Sequence, residues 1–253
     1  MNKWLLVLLA YCTAISALTI SPETANTLGD RIWKNECAGT IDGLTHWGKG
    51  ENFPSLGIGH FLWYPTGVKE RFDEGFPKLL SFLQEHGVSL PAWIKEAKGA
   101  PWDSRDHFYR QFQSEQMKQL RELLAGTKSL QAIFIAKRLE NALPLMLEQV
   151  SPSEGERISA LFYELAKSPE GLYALVDYNN FKGAGVLESE RYNGQGWGLL
   201  QVLQGMQTAT TAEFVASAKK VLAQRIANSP PERNENRWRA GWFNRLDTYL
   251  HGT

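Results

Sequence analysis

The chain has 253 residues, with 27 basic and 27 acidic side chains and a formal net charge of zero. That balance lacks the basic excess of nucleic-acid binders, so no nucleic-acid partner is expected. A content of 43% hydrophobic and 11% aromatic residues describes a chain that folds rather than one that stays disordered.

Lys3 gives the chain a positive start, Trp4 to Ala10 is an uninterrupted apolar run, and small residues follow at Ala14, Ser16 and Ala17. This layout predicts a secretory signal peptide over residues 1–17 and export to the periplasm or beyond. The run is shorter than the roughly 20 residues that span a bilayer, and no later stretch is apolar enough, so no stable membrane insertion is expected after its removal. Cys12 would leave with the signal. Cys37 would then stand alone, with no intrachain disulfide.

Residues 18–253 read as one domain. Ser21-Pro22-Glu23 is a helix start: a capping hydroxyl, proline in the first turn, then an acid at the positive helix end. The helix is predicted to run to about Ala38 and to end at Gly39. From 40 to 64, six glycine or proline breaks (Gly43, Gly48, Gly50, Pro54, Gly57, Gly59) alternate with β-formers such as Phe53, Ile58 and Phe61. That pattern predicts a small twisted hairpin region. Helical spacing then predicts helices over 68–86, 104–125, 129–148, 153–167, 211–228 and 238–251, with Pro144 as a kink point. A glycine-rich, aromatic stretch from Tyr178 to Gly205 interrupts them. The expected fold is mainly α, with a small β-hairpin lobe near the N-terminus.

Glu36 is the first residue with chemical promise. At 100° per residue, Ala25, Leu28, Ile32 and Glu36 fall within about 80° of arc, so Glu36 lies on the apolar stripe at the helix end. Desolvation and the negative end of the helix both favour a protonated carboxyl group there. Such a group can protonate a leaving oxygen. The competing reading is a helix-end glutamate turned to solvent or paired with Lys34.

Glu36 at the end of the first helix, followed by Gly57-Ile58-Gly59-His60 in a hairpin, resembles the phage-type lysozymes. The resemblance implies a lysozyme-like fold and cleavage of peptidoglycan with Glu36 as catalytic acid. It also implies that Ser55, where that family usually has threonine, helps hold the attacking water. The turn aspartate of the family has no clear match. Asp42 and Glu51 are the nearest carboxylates, and Glu51, four positions before Ser55, is the preferred general base or charge stabiliser. The stretch Trp238–Arg245 is similar to the Gly-Leu-x-x-Arg-Arg pattern that closes many of these enzymes, with Asn244-Arg245 in the place of the arginine pair. A second resemblance, to lytic transglycosylases and goose-type lysozymes, lies at Gly198-Leu199-Leu200-Gln201 and offers Glu188, and less so Glu190, as the acid.

His60, Tyr64, Asn180, Trp197 and Gln201 are the expected substrate-binding residues, because rings stack on sugar C–H faces and amides bind hydroxyl and N-acetyl groups. No cofactor is expected, and the five histidines show no metal-ligand spacing. Three alternatives accompany the hydrolase: a lytic transglycosylase, a non-catalytic glycan-binding protein, and a cysteine hydrolase built on Cys37 and His60.

Overall fold

The computed structural model describes Leu18, residues 20–70 and residues 72–251. The predicted signal peptide lies outside the described residues. Helix α1 spans Pro22–Cys37, capped by the Ser21 hydroxyl, which accepts from Thr24 N at 3.1 Å. It stops at Ala38, which adopts the left-handed conformation (φ 51°). Ala25, Leu28, Gly29, Ile32 and Cys37 are its buried residues, and Ala25, Leu28 and Ile32 lie on the predicted stripe.

Three short strands follow: β1 (Thr45–His46), β2 (Ser55–Leu56) and β3 (Phe61–Leu62). They form an antiparallel sheet in that order, pairing His46 with Ser55 and Ser55 with Leu62. Beyond them come α2 (Gly75–Glu85), α3 (Ala92–Glu96), α4 (Arg105–Arg110), α5 (Glu115–Gly126), α6 (Lys128–Leu147), α7 (Pro152–Leu165) and α8 (Pro169–Lys182). A second hairpin, β4 (Arg191–Tyr192) with β5 (Gln195–Gly196), precedes α9 (Leu199–Gln204), α10 (Thr211–Asn228) and α11 (Arg239–Asp247). The protein is mainly helical with a small antiparallel sheet near the N-terminus, as the sequence predicts.

Several element boundaries differ from expectation. The helix expected over 68–86 begins only at Gly75, because the Tyr64 hydroxyl and amide bind the Phe72 carbonyl and the Glu74 carboxylate and hold those two residues outside the helix. The helix expected over 104–125 is two, since Ser114 caps a fresh helix by accepting from Met117 N. Helices α3, α8 and α9 fall where none was predicted.

Helix α1 lies along α6, and Gly29 permits the approach: a Cβ there would sit 2.9 Å from Lys128 O. Trp47, Trp63, Phe76, Trp102 and Phe108 form a chain of ring contacts that joins the sheet to α2 and α4. These rings are all nearly fully buried, so the hairpin lobe is packed as densely as the helices.

Candidate active site

The last turn of α1 and the Gly57–His60 turn are built against each other. Gln131, fully buried on α6, accepts from Ile58 N at 2.9 Å and donates to Leu124 O. Gly57 has φ +71°, and a Cβ there would meet Gln131 Oε1 at 2.4 Å, so glycine is required twice over. The Cys37 thiol donates to Gly57 O at 3.6 Å, tying the helix end to the same turn. His60 follows in the left-handed region (φ 48°), which aims its ring at the helix end. Its Nδ1 lies 3.3 Å from Glu36 Oε2, and the Glu36 side chain is only 11% exposed.

The other carboxylate oxygen, Glu36 Oε1, accepts from Arg245 on α11. Arg245 also donates twice to Asp177 on α8, at 2.8 Å each, and Tyr249 donates to Asp177 Oδ2 at 2.6 Å. Asp177 and Tyr249 are fully buried. Burial opposes the Arg245 charge, but Asp177 and Glu36 outweigh it and hold the guanidinium well above its ordinary range. The helix position alone stressed desolvation of Glu36. The structure adds a cation, Arg245, on Oε1.

A groove of about 540 Å³ opens beside this cluster. One wall carries His60, Phe61, Leu62 and Phe72; the other carries Asn180 and Lys182 from α8, Tyr192, Trp197 and Arg225. Trp197 packs between the Tyr192 ring, 4.5 Å away, and the Arg225 guanidinium, 4.1 Å away. Glu235, 3% exposed, anchors this wall by accepting from Arg225, Arg233 and the Tyr192 hydroxyl. Burial pushes the Glu235 carboxyl up, but those donors outweigh it and hold it at about 2. A smaller cavity of about 270 Å³, between α1 and α8, is lined by Glu23, Thr27, Arg31 and Tyr173. There Arg31 lies over the Tyr173 ring and donates to Thr248 O, so its charge is already engaged.

The structure brings Glu36, His60, Asn180 and Trp197 to one region, and six other candidates take different roles. The exposed Glu51 carboxylate accepts from Gly48 N at 3.1 Å, closing its own turn, and makes no bond with Glu36. Asp42 pairs with Arg121, which also donates to Thr45 Oγ1; that trio fastens β1 to α5. Tyr64 is 7% exposed and lies outside the groove, bonded to Phe72 O and packed on Phe53. Gln201 caps α9: it accepts from Gly198 N and donates to Gly185 O, stitching two glycine turns together. Glu190 accepts from Gly185 N and Leu187 N, while Glu188 pairs with Arg191 at the surface.

Ser55 shares a sheet face with its cross-strand partners His46 and Leu62, and Leu62 lines the groove. The His46 ring stacks 6.5 Å from His60. Cys37 bonds Gly57 rather than His60, and burial, then Glu36, pushes its thiol up to about 12. A thiol so placed supplies no thiolate near neutral pH.

Arg245 sits in the Trp238–Arg245 stretch that the sequence reading pointed to. Asp177, Tyr249, Arg225 and Glu235 were not anticipated. Ser168-Pro169-Glu170 was the available signal for α8, since it repeats the Ser21-Pro22-Glu23 start of α1. Comparison of the chain with protein-family models, curated proteins and solved structures returned no match.

Proposed function

We propose that this protein is a muramidase-like glycoside hydrolase that cleaves the glycan strands of peptidoglycan, with Glu36 as general acid. The observation that carries the reading is a desolvated carboxylate at a helix end, held by His60 and Arg245 beside an aromatic-walled groove. Arg245 occupies Oε1 and can only donate, so a proton on Glu36 belongs on Oε2, the oxygen nearest His60. From there it passes to the glycosidic oxygen as the bond to the anomeric carbon breaks. The carboxylate left behind is stabilised by Arg245, whose position Asp177 and Tyr249 fix. Water bonds to the anomeric carbon as that bond breaks and releases a proton to solvent, and Oε2, 3.3 Å from His60 Nδ1, is reprotonated from solvent for the next turnover. Ser55 is 7% exposed and pairs across the sheet with His46, whose ring stacks 6.5 Å from His60.

A second reading has one observation in its favour. Glu51 closes its own turn, so the expected second carboxylate does not face Glu36. A lytic transglycosylase needs no such base for water, because the C6 hydroxyl of the muramic residue attacks internally. Digestion of purified peptidoglycan, with products read by mass spectrometry, tests both. Reducing muramic ends support the hydrolase, anhydro ends support the transglycosylase, and intact strands refute both.

A further inference from the structure

Three cations at or beside the groove wall are ion-paired, while Arg138 and Lys182, which both line it, are in none of the ion pairs of the described residues. Arg225 and Arg233 share Glu235. Arg245 has Asp177 and Glu36. Lys182 has none among the described residues. It is 8% exposed and lines the groove, and its Nζ lies over two rings, 3.8 Å from the Phe181 centroid and 3.5 Å from the Trp242 centroid. The rings attract a cation but carry no formal charge. One turn earlier on the same face of α8, Asn179 also lines the groove, and its Oδ1 is buried with no hydrogen-bond partner. Burial without an ion pair disfavours the ammonium form of Lys182, and an acceptor without a donor is costly to bury. Here they lie one turn apart on α8, and both residues line the groove.

We infer that Lys182 and Asn179 form a subsite for an acidic sugar, in which Lys182 Nζ takes a ligand carboxylate and Asn179 Oδ1 takes a hydroxyl or amide N–H of the same residue. The inference rests on the groove being a glycan site, and adds that its glycan is anionic. The carboxylate has two possible sources: the lactyl group of a muramic residue stripped of its peptide, or the C6 carboxylate of a uronic acid.

A measurable consequence follows from the surroundings of Lys182. Burial, then Arg225 on α10 and Arg245 on α11, push its amine down to about 6, against Glu235 and Glu36, which pull it up. In the free protein at about pH 7.5 the amine is therefore mostly uncharged. A bound carboxylate favours the ammonium form, so binding must draw a proton from the buffer.

The test is calorimetric titration of the full-length Glu36→Gln protein, which holds glycan without cutting it, at about pH 7.5 in phosphate and in Tris. Three tetrasaccharides are compared: neutral N-acetylglucosamine, peptide-free N-acetylglucosamine–N-acetylmuramic acid, and a uronate. The expected result is at least roughly 10-fold tighter binding of one acidic ligand than of the neutral one. It should come with uptake of roughly one proton. The acidic ligand that wins identifies the source. Lys182→Met should remove both the preference and the uptake while the neutral tetramer still binds. Asn179→Asp, which sets a negative charge in the subsite, should remove the preference independently and covers the case of a Lys182 variant that fails to fold. Equal binding of neutral and acidic ligands, or a preference without proton uptake, overturns the subsite and leaves the glycan reading standing. Binding of none of the three overturns both.

Discussion

Glu235 offers the sharpest test of how the groove wall is held. Its carboxylate is 3% exposed and accepts from Arg225, Arg233 and Tyr192, all of which line the groove. Its carboxyl is held at about 2 in the folded protein, against 4.5 for an ordinary glutamate. At 1.36 kcal/mol per unit this corresponds to about 3 kcal/mol of stability. Because the folded value is depressed, the contribution is complete above about pH 4.5 and is lost as pH falls towards 2. Glu235→Gln keeps the shape and removes the charge. Urea unfolding of both proteins between pH 7 and pH 3 should give a difference that is largest at neutral pH and shrinks steadily below pH 4.5. A difference that is independent of pH, or below about 1 kcal/mol at pH 7, would show that these donors do not stabilise the charge as argued.

Three further outcomes follow. Gly57→Ala should lower stability by about 2–4 kcal/mol, since it combines a strained left-handed alanine with loss of the Gln131–Ile58 bond; a cost under about 1 kcal/mol in the same unfolding assay would contradict the turn geometry. Iodoacetamide should leave Cys37 unmodified in the native protein at about pH 8, and Cys37→Ala should still cleave glycan. Loss of cleavage in that variant, with folding intact, would move the chemistry to the thiol. Trp197→Ala should raise KM on glycan with kcat little changed, because its ring belongs to a wall and not to the proton path; an equal fall in kcat and kcat/KM would contradict that assignment.

The sequence carried the site's first half clearly. Ser21, Pro22 and the Leu28–Ile32 stripe fix α1 and its register, so the depth of Glu36 could be worked out from helical geometry alone. The Gly57–His60 turn was legible as a turn, but its reason was not: Gln131, more than seventy positions later, supplies the bond that demands glycine. The second half failed for a similar reason. Helix α8 is buried all round from Leu172 to Tyr178, so it shows little amphipathic periodicity, and only its Ser168-Pro169 start marks it. Without α8 there was no way to place Asp177. Asn193-Gly194, with positive φ at both residues, is a strong hairpin signal that the glycine-rich appearance of its surroundings obscured. Glu51 was chosen for proximity in sequence, and a side chain in a tight turn is readily captured by its own backbone.

The role of Glu36 is tested most directly by Glu36→Gln, with wild-type and variant proteins matched for circular dichroism and thermal unfolding. Incubated with purified peptidoglycan and followed by mass spectrometry, the wild type should release glycan fragments. The variant should release them roughly 10²–10⁴-fold more slowly. Release by Glu36→Gln at the wild-type rate would contradict the assignment of Glu36 as the acid, and with it the account of this site.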